Sequence, residues 1–171
     1  FSAKQEFVDH HLRKISPKNV LDIGCNEGTF TFLAAETGAF VVAIDYDATV
    51  VGRVWKIAAQ RGLNVLPLVL NLSSPSPATG WRYREFPSFL DRARGRFDVV
   101  MMLAVIHHLL VTDRIPIDDV FDLIAETTTD YLIIEYVGPS DPMFRSIARG
   151  RDDLFSWYNQ TTFEAAATKH F

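Results

Sequence analysis

Two acids frame a glycine-pinned loop in this chain: Asp22 near the end of the apolar run NVLDI, and Asp45 at the end of FVVAID. Between them, Gly24-Cys25-Asn26-Glu27-Gly28 leads into a helical stretch. A strand, a glycine loop and a helix N-terminus together cradle nucleotide-like ligands, because the loop backbone can approach them closely. The dinucleotide fingerprint is GxGxxG, but here three residues separate the glycines and Asn26 takes the middle position. That spacing suits a pyrophosphate poorly. Asp45 lies close to the roughly 20-residue offset at which an acid reaches ribose hydroxyls. The pattern therefore fits a nucleoside-bearing ligand without a pyrophosphate. The plainer reading of an isolated GxxxG is a turn joining strand to helix. For Asp45 the plainer role is a helix N-cap, which Asp47 could fill equally well.

A second set of chemistry-bearing residues is His107-His108 and Glu135, with Tyr136 and Asp141 behind them. Adjacent histidines at the end of an apolar strand are costly unless hydrogen-bonded or used. Their side chains point in different directions, so one of them could face an acceptor as a general base. The alternative is that one caps the following turn. Glu135 interrupts the apolar run YLIIEYV, which allows either a buried carboxylate with a shifted pKa or pairing with an arginine. Cys25 is the only cysteine, so a disulfide framework, a CxxC zinc pattern and an iron–sulfur set are all excluded. It reads as small filler in the loop rather than as a nucleophile.

The elements that must position these residues alternate. Apolar periodicity puts Phe7, Val8, His11, Leu12 and Ile15 on one face of a helix over 4–15. Strands are expected at 19–23, 40–44, 64–70, 97–103 and 131–137, with helices at 29–37, 48–61, 85–94 and 117–127. Shorter helical pieces follow at 142–158 and 161–170. Pro67 places the third strand at an edge of the sheet. Alternation of this kind means an α/β fold with a parallel sheet and helices on both faces. Ligands on such sheets bind outside the carboxyl ends of the strands. The chemistry is therefore expected at residues 22–29, 45–47, 71–73, 103–108 and 135–141.

A length of 171 residues fits one domain with a sizeable core, and 48% hydrophobic with 22% charged residues is ordinary for a globular protein. The net charge of −4 argues against general binding to nucleic acid or anionic membranes. No apolar run approaches the roughly 20 residues needed to span a bilayer, and the charge-interrupted start is no signal peptide. A cytoplasmic location is the default expectation. The oligomeric state is not legible.

VLDIGCNEGTF followed by VVAIDYD resembles the first two motifs of the class I S-adenosylmethionine-dependent methyltransferases, whose fold is Rossmann-like and doubly wound. FDVVMMLAVIHHLL resembles the fourth-strand segment of the same superfamily, so the likeness covers roughly residues 19–137. It implies S-adenosylmethionine as cofactor and S-adenosylhomocysteine as its product. Asp22 and the backbone at Gly24, Cys25 and Asn26 would then meet the methionine part, with Gly28 permitting close approach. Asp45 would hold the ribose, and Tyr46, Asn71 and Leu72 would border the adenine. Leu103 and Ala104 would supply backbone near the methionine amino group. His107, His108 and Glu135 are the candidate bases on the acceptor side.

Several subclasses are set aside by what is missing. No Asn-Pro-Pro-aromatic or Asp-Pro-Pro-aromatic motif follows the fourth strand, and no second cysteine serves cytosine C5 chemistry. The fourth strand ends in Leu103-Ala104 rather than in an acid, so the Lys-Asp-Lys-Glu set of ribose methylation is unmatched. The carboxylates of metal-dependent small-RNA methyltransferases are replaced by Leu103 and Ile106, and no metal is expected. The segment 71–83 with the helix after it carries Trp81, Tyr83, Phe86 and Phe89, which could wall or cover an acceptor pocket or simply pack on the surface. A second aromatic stretch, 141–159, holds Arg145, Arg149 and Arg151, and could grip an anionic or sugar-like substrate or form a solvated helix face. The overall pattern also resembles methyltransferase-like proteins associated with rhizobial nodulation host specificity, which implies a carbohydrate-type acceptor.

Class I enzymes normally finish with an antiparallel hairpin, whereas this sequence stops at FEAAATKHF and starts at Phe1 without a methionine. Residues 1–171 are thus expected to be a single cofactor-binding domain cut from a longer chain. The leading expectation is methyl transfer to a small molecule or carbohydrate. A non-catalytic cofactor-binding module and an NAD-dependent oxidoreductase are the alternatives.

Overall fold

The computed structural model describes residues 2–171. Five parallel strands form one sheet in the order β3-β2-β1-β4-β5. These are β1 (Asn19–Ile23), β2 (Phe40–Asp45), β3 (Val65–Val69), β4 (Phe97–Met102) and β5 (Thr128–Ile134). The helices are α1 (Ala3–Ile15), α2 (Thr29–Glu36), α3 (Ala48–Arg61), α4 (Phe89–Ala93), α5 (Ile117–Thr127), α6 (Pro142–Ala148) and α7 (Gln160–Ala167). The strand order reverses between β1 and β4, and that switch point opens a crevice at the strands' carboxyl ends.

Helices cover both faces of the sheet, which is why the central strands are continuous apolar runs rather than alternating ones. Val20, Val41, Val99 and Met101 pack with Val8 and Leu12 of α1 and Leu33 and Ala34 of α2. On the opposite face, Leu21, Ile44, Val100 and Met102 pack with Phe121 and Ile124 of α5, Phe144 of α6 and Phe163 of α7. Pro67 lies in β3, which has a neighbour on one side only. Proline donates no ladder hydrogen bond, and an edge tolerates that.

Local chemistry sets the element ends. Ser2 and Gln5 form a capping box on α1. Asp47 Oδ1 accepts from Thr49 N at 2.7 Å to start α3, which ends at Gly62 in the left-handed region. α5 runs directly into β5, with Thr127 Oγ1 and Thr128 Oγ1 both donating to the Ile124 carbonyl at 2.9 and 2.7 Å.

Three expectations are corrected. The fifth strand lies three residues earlier than 131–137, so Glu135 and Tyr136 fall beyond its end. The helix expected over 85–94 shrinks to five residues, because Phe86 bridges Thr79 and Ser88 provides the cap. On α1 only Val8 and Leu12 are buried, while Phe7 is 57% exposed.

Candidate functional site

The glycine loop is folded onto the tip of β2. Gly24 N and Cys25 N both donate to the Ile44 carbonyl, at 2.8 and 3.0 Å, and Gly28 N returns to the Cys25 carbonyl at 2.9 Å. Gly24 and Gly28 have φ of +70° and +83°. Asn26 also takes a positive φ, 45°, a conformation asparagine tolerates better than most residues. A Cβ on Gly24 would run into Val105 Cγ2, so this glycine lets the segment after β4 close onto the loop. On Gly28 it would sit 2.8 Å from Phe32 Cζ and 3.0 Å from Val54 Cγ2. Gly28→Ala is therefore expected to lower stability by about 1–3 kcal/mol through left-handed strain and crowding, read as a lower denaturation midpoint.

Asp45 ties the loop to the strand. Its Oδ2 accepts from Asn26 N and its Oδ1 from Asp47 N, both at 3.0 Å. Each carboxylate oxygen keeps a further lone pair able to accept. That crevice has a volume of about 480 Å³, within the roughly 300–1,000 Å³ typical of small-molecule sites. Gly24, Asn26, Asp45, Tyr46, Asn71, Leu72 and Ala104 line it, as does His108. Tyr46 stands at the rim, 78% exposed. Asn71 Oδ1 accepts from Ser73 N and Ser73 Oγ, which holds the turn after β3. Ala104 adopts a left-handed φ of 57°, so the chain bends sharply where β4 ends.

The other residues singled out from the sequence do not line this crevice. Asp22 is 2% exposed beneath the loop, and its one side-chain hydrogen bond among the described residues is from Thr31 Oγ1, which donates to it at 2.5 Å. Burial pushes its carboxyl up to about 6; the Thr31 hydrogen bond opposes the shift and the Asp45 charge adds to it. Cys25 is buried, and burial together with the charges of Asp22 and Asp45 pushes its thiol up to about 12. A thiol so far from ionisation is no nucleophile. Leu103 packs against the core, and Gly28 caps α2 from within the loop.

His107 is 2% exposed, and among the described residues neither ring nitrogen has a hydrogen-bond partner. Its ring lies 4.3 Å from that of the exposed His108. Burial first and the His108 charge second lower its pKa to about 4, against the opposing influence of Asp141 and Glu135. The imidazole is therefore neutral above about pH 5. Burying polar atoms without partners costs about 1–3 kcal/mol. His107→Leu is accordingly expected to match or exceed the wild type in thermal stability, by up to about 2 kcal/mol.

Glu135 is a third exposed rather than buried, and its partner is a lysine rather than an arginine. Lys4 Nζ of α1 sits 2.5 Å from Glu135 Oε2 and 5.1 Å from the centroid of Phe30 in α2. Lys4 was invisible in the sequence as a site residue, because it lies far along the chain from its partner. No local spacing signals such a contact. The aromatic segment is also not a lid on this crevice: Trp81, Tyr83 and Phe86 are 77%, 77% and 65% exposed, Phe89 is in the core, and none lines the cavity. Among the described residues, no group of three or more His, Cys, Asp or Glu side chains is placed to hold a metal ion. No helix of the described residues is long and apolar enough to cross a membrane.

A five-stranded doubly wound sheet, an acid at the tip of β2 and a glycine loop at the switch point define a Rossmann-like fold of the class I methyltransferase type. The chain belongs to the methyltransferase domain family, whose pattern matches residues 3–170. It is 32% identical over 169 residues to the nodulation protein NoeA of Rhizobium meliloti (strain 1021), which covers 98% of this chain and 35% of NoeA. It is 27% identical over 139 residues to the O-antigen chain terminator bifunctional methyltransferase/kinase WbdD of Escherichia coli, covering 80% of this chain and 18% of WbdD. A crystal structure of WbdD matches the fold with a TM-score of 0.66 at 20% identity, over 86% of this chain and 32% of that one. Coclaurine N-methyltransferase, solved with N-methylheliamine and S-adenosylhomocysteine, matches with a TM-score of 0.54 at 15% identity, over 75% of this chain and 34% of that one. This chain therefore spans about a third of NoeA's length and less than a fifth of WbdD's.

Proposed function

We propose that this chain binds S-adenosylmethionine in the 480 Å³ crevice and transfers its methyl group to a carbohydrate-type or other small-molecule acceptor. The observation that carries the cofactor reading is Asp45, whose carboxylate is anchored by two backbone N–H groups while it lines the cavity beside Gly24. Anchoring of this kind presents a fixed pair of oxygens to a ribose diol. Tyr46 and Leu72 offer apolar surface for adenine, and the backbone at Gly24 to Asn26 faces the methionine part. Asp22, Cys25 and Gly28 support that loop from below, and Leu103-Ala104 closes it on the β4 side. When bound, the cofactor would supply an activated methyl group on a sulfonium.

The chain's own contribution is positional: it holds donor and acceptor in line, which can account for most of the acceleration of a two-body reaction. His107, His108 and Glu135 stand after β4 and β5, on the acceptor side in this reading. His108 is the base we favour for a hydroxyl acceptor, since it is exposed and lines the crevice, whereas the ring nitrogens of His107 are buried away from it. A saccharide acceptor accords with the names of the relatives, one a nodulation protein and the other an O-antigen chain terminator.

The test is incubation of the chain with methyl-labelled S-adenosylmethionine and a panel of mono- and oligosaccharides, beside thermal-shift measurements with S-adenosylhomocysteine and NAD. Stabilisation by S-adenosylhomocysteine but not NAD, with label on a saccharide, is the expected result. Stabilisation without label transfer to any acceptor would make the chain a binding module, and stabilisation by NAD alone would make it an oxidoreductase.

A further inference from the structure

After β4 the chain forms a π-helical turn, His108–Thr112, and this turn is a wall shared by two cavities. His108, Leu109, Thr112 and Asp113 line the crevice already described. On the other side a cleft of about 250 Å³ is lined by Leu110, Arg114, Ile115, Arg151, Phe155 and Trp157, among others. Charge is sorted across the turn, with Asp113 on the crevice and Arg114 on the cleft.

The cleft is unbalanced in charge. Two arginines belong to its lining, and among the described residues no Asp or Glu does. Among the described residues neither arginine makes an ion pair. Arg151 is held in place, with Nε donating to the Ala148 carbonyl at 3.0 Å and Nη2 to the Ile147 carbonyl at 3.5 Å. Its other N–H groups remain free to bind. Arg114 is presented from a left-handed backbone, φ 58°, a conformation that non-glycine residues rarely adopt. Trp157 Nε1 donates to the Leu154 carbonyl at 3.1 Å, which fixes the indole while 45% of the residue stays exposed.

Two arginines and a fixed indole lining one small, mainly apolar cleft suit an anion with a flat or apolar body. Guanidinium groups take carboxylate or phosphate oxygens through paired N–H donors. The volume is below the usual range for drug-sized ligands, which limits the body to about one ring. We propose that this cleft is a second binding site, for a small anion built on a single six-membered ring, with Arg114 and Arg151 on the charge and Trp157 against the ring. It stands independently of methyl transfer, since no residue lining it also lines the cofactor crevice.

The test is a fluorescence titration of the chain with methyl glucuronide, benzoate and the neutral methyl glucoside. At least one acid is expected to give a saturable change, with the glucoside at least about tenfold weaker. The stronger acid identifies the body as a sugar or an aryl ring. Arg114→Asn removes the guanidinium yet suits the left-handed backbone, and it is expected to weaken acid binding about tenfold or more with an unchanged melting point. Trp157→Phe is expected to remove the signal. The proposal is overturned by equal response to glucoside and acids, by no saturable response, by a signal that survives in Trp157→Phe, or by full acid affinity in a folded Arg114→Asn variant.

Discussion

Asp45→Ala is expected to weaken S-adenosylhomocysteine binding by about 3–4 kcal/mol, roughly 100- to 1,000-fold, in isothermal titration. Two effects combine. The ribose hydroxyls lose charge-assisted hydrogen bonds, each worth about 1.5–3 kcal/mol. The N–H groups of Asn26 and Asp47 also lose the acceptor that holds the glycine loop to β2. Asp45→Asn separates these effects, because its single remaining carbonyl oxygen can serve one of the two N–H groups without charge. It is expected to fall between the wild type and the alanine variant. Unchanged affinity in Asp45→Ala would remove the ribose assignment.

The second large effect concerns stability. Asp22 has a folded-state pKa near 6, raised mainly by burial, against an ordinary aspartate value of 3.8. The unfolded chain therefore releases this proton at lower pH than the folded one. Between about pH 4 and 6 the native state loses stability as pH rises, and above about 6 the loss is complete. A shift of this size corresponds to on the order of 3 kcal/mol. Asp22→Asn abolishes the titration but buries an amide with unpaired N–H donors, so its net gain at pH 7.5 is expected to be about 1–3 kcal/mol. Denaturation midpoints measured across pH 4–8 should show the variant's advantage growing through pH 4–6 and then levelling. A constant difference from pH 4 to pH 8 would contradict the assignment. The same ionisation bears on the ligand: if Asp22 faces the cofactor ammonium, S-adenosylhomocysteine binding tightens between pH 5 and 7 in the wild type and stays flat in Asp22→Asn.

An acid buried under a ligand loop at a cost to stability is what a binding site in a marginally stable protein accepts. His107, buried with no hydrogen-bond partner for its ring among the described residues, is a second group that costs stability. Gly24 and Gly28 show a similar constraint at backbone level: at both, a left-handed φ and close neighbours exclude any side chain.

Much of the architecture was legible because it rests on short-range physics. The charge-free centre of β2, the Pro67 in β3 and the Gly62 stop of α3 each encode a local requirement: two-sided burial, an edge position and a left-handed cap. That Gly24, Asn26 and Asp45 would meet at one crevice was legible for the same reason, since one strand–loop–helix unit and the strand beside it set them. The surroundings of the residues after β4 and β5 were not. The Lys4–Glu135 contact joins the first helix to the segment just after the last strand, and chain order carries no trace of it. The early start of β5 falls on Thr128 and Thr129, β-branched residues that extend the strand directly from α5 without an intervening turn residue to mark it. The π-helical turn at His108–Thr112 has no spacing signature, yet it decides which residues face each cavity.

The most direct test is a crystal structure of the chain grown with S-adenosylhomocysteine. The nucleoside should lie across the tips of β1 and β2, with both ribose hydroxyls within hydrogen-bonding distance of Asp45 and the adenine beside Leu72. Density for the ligand elsewhere, or a crevice that stays closed at saturating ligand, would contradict it.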